Sequence, residues 1–218
     1  MGEQAVIILS GGMDSTTLLY DLVQQGYDVH AVSFDYRQKH RKEIDCAKAT
    51  CAHLHIPHKV IDAGFLGGIA PSSLTRPDWK VPEGSYADDT MKQTVVPNRN
   101  MVLLSIAAAY ALGTGARRLF YGAHAGDHTI YPDCRPAFVS AMATAFHLCD
   151  WNDLVLEAPY LYLTKGGIVK RGLSLGVDYA MTWTCYAGGE KSCGKCGSCD
   201  ERLAAFREAG ATDPLEYE

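Results

Sequence analysis

The chain has 218 residues, of which 47% are hydrophobic and 21% are charged. That length allows one sizeable hydrophobic core and is short for two, so we expect one domain with a small appendage. The formal net charge of -5 argues against binding to nucleic acid or to an anionic membrane. No apolar run approaches the roughly 20 residues of a spanning helix, and the N-terminus lacks a secretory signal. We therefore expect a cytoplasmic protein.

Patterns of buried strands and amphipathic helices alternate along most of the chain. Apolar runs and helical spacing predict strands at 5–9, 29–34, 59–61, 118–122 and 153–157, and helices at 15–25, 40–55, 101–112, 137–148, 164–176 and 202–208. Residues 64–94 have little periodicity, which is typical of a functional or mobile segment. The alternation predicts a Rossmann-like α/β fold, a parallel sheet with helices on both faces. We expect this domain to span residues 1–180 and a small C-terminal module packed on it to span 181–218.

Ligands of such sheets bind beyond the C-terminal ends of the strands. The first strand is followed there by a glycine-rich loop, Ser10-Gly11-Gly12-Met13-Asp14-Ser15, which leads into a helix. A tight glycine turn at a helix start presents free N–H groups to an anion, and the two serines add donors. The Asp14 carboxylate suits this place if it holds a bridging Mg2+ or caps the helix. A plain strand-to-helix connection is the other interpretation, while a Walker loop and a dinucleotide fingerprint are excluded by the missing lysine and third glycine.

The C-terminal cysteines are spaced Cys185-x7-Cys193-x2-Cys196-x2-Cys199. Four thiolates this close suit tetrahedral Zn2+ in a closed, structural site, although an iron–sulfur cluster or disulfides are alternatives. Gly194 and Gly197 each follow a cysteine, where we expect tight turns with positive φ. The remaining thiols are interpreted as small core residues at Cys46, Cys51 and Cys149, with Cys134 exposed in a loop.

The loop Ser10–Ser15 resembles the SGGxDS loop of ATP pyrophosphatases, which transfer AMP to a substrate oxygen and release pyrophosphate. Further segments in the same order (33–40, 72–76, 96–100, 122–127 and 131–134), with the cysteines, resemble the 7-cyano-7-deazaguanine synthase family. The resemblance covers residues 5–206, and residues 209–218 add nothing to it. Met13 stands where that family usually has glutamine, and His124 and His128 make the substrate loop unusual.

The resemblance implies an adenine nucleotide alpha hydrolase-like fold, the cofactors ATP, Mg2+ and Zn2+, and a homodimer that binds no nucleic acid and no membrane. It implies an ATP-dependent ligase that converts 7-carboxy-7-deazaguanine and ammonia into the nitrile through an adenylated carboxylate and an adenylated amide. The ATP-binding residues it implies are Leu9, Ser10, Gly11, Gly12, Met13, Asp14, Ser15, Thr16, Thr17, Leu18 and Leu19. The implied catalytic residues are Ser10, Asp14, Ser15 and Arg99. The implied substrate-binding residues are Arg99, Gly122, Asp127, Tyr131 and Asp133, and the implied metal ligands are Cys185, Cys193, Cys196 and Cys199.

Several of these assignments have a plainer alternative. Asp127 and Asp133 are expected to accept hydrogen bonds from a guanine-like edge or to hold a second Mg2+, but loops are rich in Asp in any case. Arg99 is expected to neutralise phosphate, or forms a surface salt bridge. Basic residues after the second strand contact the substrate or merely begin a helix: Arg37, Lys39 and His40. Aromatic residues near the C-terminus stack on a flat base or are buried beside the metal: Tyr162, Trp183 and Tyr186.

Three other functions stay open at this stage. A related enzyme that stops at the amide, or that transfers the activated deazapurine to another acceptor such as a protein, would keep every motif. An RNA-modifying enzyme with the same loop would need a basic face or an added RNA domain, which the net charge of -5 disfavours. A non-enzymatic nucleotide-binding module resembling universal stress proteins would explain the sheet but not the loop or the cysteines.

Overall fold

The computed structural model describes residues 2–84 and 89–218. Residues 85–88, within the weakly periodic segment, lie outside the described residues, as does the side chain of His128. The strands are β1 (Gln4–Ile8), β2 (Asp28–Asp35), β3 (His58–Asp62), β4 (Arg118–Phe120) and β5 (Val155–Glu157). The helices are α1 (Met13–Gln24), α2 (Lys42–His53), α3 (Phe65–Ile69), α4 (Arg99–Thr114), α5 (Pro136–His147), α6 (Lys165–Ser174) and α7 (Gly197–Ala209).

The five strands form one parallel sheet in the order β3-β2-β1-β4-β5. Alternate residues of β1 face opposite sides of this sheet. Val6 packs into the core that contains Leu104 of α4, whereas Ile7 packs into the core that contains Leu19 of α1. Helices therefore cover both faces, and the predicted Rossmann-like fold is confirmed. Strand order reverses between β1 and β4, which places the principal crevice of the sheet at the C-terminal end of β1.

The element boundaries differ from the sequence-based prediction where tertiary contacts set them. The prediction missed the short helix α3, which lies in the weakly periodic segment. It began α7 at Arg202, but α7 starts at Gly197 because the last two cysteines of the cluster belong to the helix start. Helix α7 shares a core with α1 and α6, in which Phe206 packs with Met13 and Val169.

The segment Met91–Thr114 is the one candidate among the described residues that is long and apolar enough to cross a membrane, with a mean hydropathy of 1.2. Such a segment is weak evidence for a span, because the core helix of a soluble protein passes the same test. Here Leu104, Ala107 and Ala111 of α4 are fully buried against the sheet. Packing within the fold thus explains part of the apolar composition.

The C-terminal tail, which the resemblance leaves without a role, contributes to the structure. Arg202 of α7 is 1% exposed and donates to both carboxylate oxygens of Asp213, at 2.7 and 2.9 Å. The Tyr217 hydroxyl donates to the same carboxylate at 2.5 Å, and Tyr217 packs against the four-cysteine cluster. Burial alone would raise the Asp213 pKa, but the bonds from Arg202 and Tyr217 outweigh it and lower the pKa. The tail therefore holds α7 beside the cysteines.

We expect Asp213→Ala to lower the free energy of unfolding by about 3–5 kcal/mol, because it leaves the buried Arg202 guanidinium unpaired. Urea unfolding at neutral pH measures this loss. The control is Glu216→Ala in the same tail, where the exposed pair with Lys191 is worth less than about 1 kcal/mol. Since the Asp213 pKa is lowered in the fold, the stabilisation is present above about pH 4 and disappears on acidification. Equal losses in the two variants would contradict a structural role for the tail.

Candidate active site

A cleft of about 230 Å³ opens at the C-terminal edge of β1, β2 and β4. Its lining combines the loop after β1, the starts of α2, α4 and α6, and the loop after β4. Residues on either side of Cys185, among them Trp183 and Tyr186, also line the cleft. The N–H of Trp183 donates to the Gly11 carbonyl at 3.0 Å, which ties the cysteine region to the glycine-rich loop. The cleft thus lies between the sheet and the cysteine region.

The loop after β1 turns sharply at Gly11, whose φ is +87°. A Cβ at Gly11 would lie 1.9 Å from the Glu43 carbonyl oxygen, so only glycine fits. Gly12 is the N-cap of α1, and no side chain caps the helix there. The Ser10 and Ser15 hydroxyls lie 2.9 Å apart, and Ser10 Oγ accepts from the Gly12 N–H at 3.2 Å. This uncapped helix start on the cleft is a suitable anion site.

Only part of the implied ATP-binding segment reaches the cleft. The lining residues from that segment are Leu9, Ser10, Gly12, Met13, Asp14 and Ser15. Thr16, Leu18 and Leu19 are buried under the loop, and the Thr17 hydroxyl bonds to that of Tyr179 at 2.8 Å. Gly122, Asp127, Tyr131 and Arg99 also line the cleft. At Gly122 a Cβ would lie 3.2 Å from the Ser15 nitrogen, so a small residue lets β4 approach the start of α1.

Asp14 does not cap α1 but enters a buried cluster of ionisable groups. Its Oδ2 lies 3.4 Å from Lys165 Nζ and 3.7 Å from His124 Nε2. Lys165 Nζ also lies 2.5 Å from Glu201 Oε2, and His124 Nε2 lies 3.4 Å from Asp127 Oδ2. Three carboxyl groups therefore surround one lysine and one histidine. Asp14 Oδ1 is buried and has no hydrogen-bond partner in the described structure.

The electrostatics of this cluster follow from burial and close charges. Burial opposes ionisation of Asp14, but Lys165 and His124 outweigh it and lower the Asp14 pKa. Burial raises the Asp127 pKa, although His124 and Lys165 offset part of that rise. Burial would lower the Lys165 pKa, but Asp14, Glu201 and Asp127 raise it above its ordinary value. Lys165 is therefore a permanent cation facing the cleft.

The sequence did not single out Lys165 or Glu201. In the sequence, Lys165 is only a residue of the predicted helix 164–176, and Glu201 lies between the cysteines and the predicted helix 202–208. The available signal was the position of Lys165 at the start of the helix that follows β5, since the loops after the strands lie at the sheet edge where ligands bind. Glu201 follows Cys199 by two residues, and only the packing of α7 on α6 brings it to Lys165.

Arg99, at the start of α4, lies in the cleft and not in a surface salt bridge. It donates to the Tyr36 hydroxyl at 3.3 Å, and its guanidinium carbon lies 5.8 Å from the Tyr36 ring centre. No carboxylate lies within 4.0 Å of it in the described part of the chain. Burial opposes its charge, but the surrounding tyrosine hydroxyls and Asp133 keep its pKa above the ordinary value. Arg99 is thus a cation available to an anionic ligand.

The structure separates the other predicted substrate contacts. Asp133 is absent from the cleft lining, and its Oδ2 accepts the backbone N–H of Asn100 at 3.1 Å in the first turn of α4. Arg37 bonds to Asp35 and Asp62, outside the cleft, and Lys39 bonds to the Trp79 carbonyl. His40 is buried and does line the cleft, together with Trp183 and Tyr186, whereas Tyr162 is 78% exposed outside it.

Glu43, one turn after His40, is a cleft residue that sequence reasoning missed. Its Oε1 accepts from Gln38 Nε2 at 2.9 Å and lies 3.5 Å from His40 Nε2. Burial raises the pKa of Glu43 to about 7, although Gln38 and Arg99 oppose the rise. Burial, with the charge of Arg99, lowers the pKa of His40 to about 3, so this histidine is neutral.

The four predicted metal ligands come together. The Sγ atoms of Cys185, Cys193, Cys196 and Cys199 lie within 4.8 Å of one another, as in a four-thiolate metal site. Gly194 has the expected positive φ of +71°, but Gly197 does not, because it begins α7. Cys46 and Cys51 are at least half-buried, while Cys149 is exposed and Cys134 buried, the reverse of the expectation for these two. Cys149 lies just beyond the end of α5, where the core no longer covers it.

Solved structures with this fold include synthetases. An NMN synthetase from Francisella tularensis matches with a TM-score of 0.55 and 17% identity, over 97% of this chain and 79% of that one. A 4-thiouridine synthetase–RNA complex with bound ATP matches with a TM-score of 0.54 and 15% identity, over 95% of this chain and 50% of that one. At such identities the likeness concerns the fold alone. The fold and the loop after β1 define a parallel α/β domain with a glycine-rich, anion-binding loop at the C-terminal edge of its sheet.

Sequence comparison gives the family. The family described as "Queuosine biosynthesis protein QueC" matches residues 4–210. A protein from Methanoregula boonei named 7-cyano-7-deazaguanine synthase is 72% identical over 99% of both chains. One of the same name from Caldicellulosiruptor bescii is 63% identical over 99% of this chain and 97% of its own. The chain belongs to the QueC family, and the resemblance read from its motifs is confirmed.

We expect Asp14→Asn to reduce the rate of ATP-dependent turnover by about 100- to 1,000-fold, because it removes a fixed charge from the cleft. The loss of stability should be small beside the loss of rate, since Lys165 keeps Glu201, at 2.5 Å, as its closest partner. The matched control is Asp21→Asn in the same helix, whose carboxylate bonds to Arg171 and Tyr160 away from the cleft. That variant should lose about 1–3 kcal/mol of stability and keep its rate. Initial rates and thermal melts on both variants decide, and an active Asp14→Asn protein would remove Asp14 from the catalytic residues.

Proposed function

We propose that this protein is an ATP-dependent ligase that converts 7-carboxy-7-deazaguanine and ammonia into 7-cyano-7-deazaguanine. The observation that carries the proposal is the 72% identity, over 99% of both chains, to a relative named for that product. The synthetase-type fold and the anion-binding loop on the cleft support it. The relatives give no support to an amide-forming enzyme, a transferase to protein, an RNA-modifying enzyme or a non-enzymatic module.

The chemistry requires two activations. Conversion of a carboxylate into a nitrile removes two oxygens, and neither leaves as hydroxide near neutral pH. Attack of the carboxylate on the α-phosphorus of ATP releases pyrophosphate, and ammonia then displaces AMP to give the amide. The amide oxygen attacks a second ATP in the same way, and AMP leaves as the nitrile forms. One cleft can perform both steps, because positioning and electrostatic stabilisation lower each barrier.

The loop Ser10–Ser15 is proposed to hold the pyrophosphate portion of ATP through the free N–H groups at the start of α1. Asp14 and Asp127 would hold Mg2+, which fits the unpartnered buried Asp14 Oδ1 and the excess of carboxyl groups over cations around Lys165. When bound, Mg2+ neutralises phosphate charge. Ser33, Phe34 and Gly122 line the cleft where the adenine is proposed to lie.

Two permanent cations face the same cleft and suit the charge that develops in each adenylation. Lys165 is proposed to contact the phosphates, since its ammonium is already held beside Asp14 in the loop. Arg99 is proposed to bind the substrate carboxylate, because its planar guanidinium has no carboxylate partner in the described structure and can bind one through two parallel hydrogen bonds. Tyr131 also lines the cleft, whereas Asp133 is proposed only to hold the start of α4.

The cysteine cluster is proposed to hold Zn2+ in a structural role. Four thiolates leave no open position on a tetrahedral ion, and the donor set fits zinc. Trp183 and Tyr186 flank Cys185 and line the cleft, so the cluster fixes one wall of the active site. We also propose that residues 181–218 act as a module, that the protein is a cytoplasmic homodimer, and that it binds no nucleic acid directly. The net charge of -5 supports the last point, the family resemblance supports the homodimer, and the cysteine cluster supports the module.

We expect the purified protein to contain one zinc per chain, and Cys196→Ser to lose it. Because metal binding and folding are coupled at such sites, the melting temperature should fall with the metal. Elemental analysis and thermal melts measure both. Cys51→Ser, which changes a buried thiol outside the cluster, is the control and should keep its zinc. Iron in place of zinc, or a fully stable metal-free variant, would contradict the assignment.

Incubation with 7-carboxy-7-deazaguanine, ATP-Mg and ammonium is expected to yield the nitrile, with the amide as a transient species. Mass spectrometry separates acid, amide and nitrile by mass. The synthetic amide should also be accepted as substrate, with ATP consumed, because the second activation starts from it. A reaction that ends at the amide, or a label transferred to protein, would replace the proposal by one of its alternatives.

A further inference from the structure

Among the described residues, three carboxyl side chains line the cleft, those of Asp14, Asp127 and Glu43. Asp14 and Asp127 belong to the cluster around His124 and Lys165. Glu43 stands apart from that cluster, on the first turn of α2, with a side chain that is 12% exposed. It has no lysine or arginine within 4.0 Å in the described part of the chain. The ionisable side chain beside it is His40, whose Nε2 lies 3.5 Å from Glu43 Oε1.

The Glu43 carboxyl is nevertheless held in a fixed orientation. Gln38 donates from Nε2 to Glu43 Oε1 at 2.9 Å and to the Phe34 carbonyl at 3.1 Å. The side-chain oxygen of Gln38, Oε1, accepts the backbone N–H of Tyr36 at 2.9 Å. The backbone just after β2 therefore fixes the Gln38 side-chain amide. His40 also lies beside Oε1. Oε2 has no bonded partner within the described residues, which leaves it available to a ligand.

The surroundings of Glu43 suit a flat heterocycle. Aromatic side chains line the same cleft, and among them are Phe34, Tyr36, Tyr131 and Tyr186. Arg99 lies over the Tyr36 ring, and the His40 and Tyr186 rings lie 5.4 Å apart. A heteroaromatic ring can stack on such side chains. An acid fused to a guanine-like ring carries an anion at one end and N–H donors at the other. Arg99 supplies a cation for the anionic end, and the Glu43 carboxyl supplies oxygen acceptors for the N–H donors.

We propose that Glu43 recognises the substrate by accepting hydrogen bonds from the ring N–H and the 2-amino group of the deazaguanine. The inference rests on the proposed function, because it names the residue that binds the end of that substrate away from the reacting carboxylate. Glu43 takes the substrate-binding role that was expected of Asp133, whose carboxylate instead bonds to the first turn of α4. Glu43 is therefore a specificity-determining residue, and an analogue that lacks the 2-amino group leaves its buried carboxylate short of a donor.

The test compares two substrates, 7-carboxy-7-deazaguanine and the same acid without its 2-amino group. Wild-type protein should prefer the first by about 10- to 100-fold in kcat/KM, the usual cost of a lost hydrogen bond to a charged group. Glu43→Gln should lower kcat/KM for the first substrate, mainly through a higher KM. The ratio of kcat/KM between the two substrates should then fall to within a few-fold of one. The KM for ATP should stay unchanged. Asp45→Asn, an exposed carboxylate on the same helix, is the control and should keep the wild-type preference.

Two outcomes overturn the inference: a preference that Glu43→Gln leaves intact, or equal losses for both substrates. If Glu43→Gln does not fold, Glu43→Asp serves instead, because it keeps the charge but withdraws the carboxylate by one methylene. A reduced preference in that variant supports the inference, and an unchanged one overturns it. Failure of the proposed function is distinguishable, since wild-type protein would then not turn over 7-carboxy-7-deazaguanine at all.

Discussion

The buried ion cluster around Lys165 is the interaction on which the arrangement of the site depends. It joins Asp14 of the phosphate loop, His124 and Asp127 after β4, and Glu201 of α7. A buried lysine is costly unless it is paired, so the four chain segments are held in one relative position. The cluster also contains more carboxyl groups than cations, which favours a divalent cation and the phosphates it accompanies. Packing and ligand binding thus depend on the same charges.

The cysteine region contributes to the cleft through backbone connection and packing. Glu201 follows Cys199 by two residues and bonds to Lys165, while Trp183 donates to the Gly11 carbonyl. Arg202 and Asp213 hold the C-terminal tail against the same helix. The structural metal proposed here would therefore act at a distance, by fixing α7 and the aromatic wall, and need not touch a reactant.

The sequence predicted the features that depend on local pattern. Apolar runs gave the strands, Gly11 and Gly12 indicated the phosphate loop, and the cysteine spacing indicated the cluster. It failed where function depends on contacts between distant segments. Lys165, Glu201 and Glu43 each look like ordinary helix residues, and only folding brings the first two to Asp14 and the third to the cleft. The bond between Asp133 and the Asn100 N–H is equally invisible in the sequence, because the two residues lie 33 positions apart.

The central claim is that one cleft activates both oxygens of the substrate by adenylation. It is tested most directly with 7-carboxy-7-deazaguanine that carries ¹⁸O at both carboxylate positions. Each oxygen should leave with AMP, so mass spectrometry should find two AMP per nitrile, each with one ¹⁸O atom, and unlabelled pyrophosphate. Label in inorganic phosphate together with ADP, or in only one of the two nucleotides, would contradict the account.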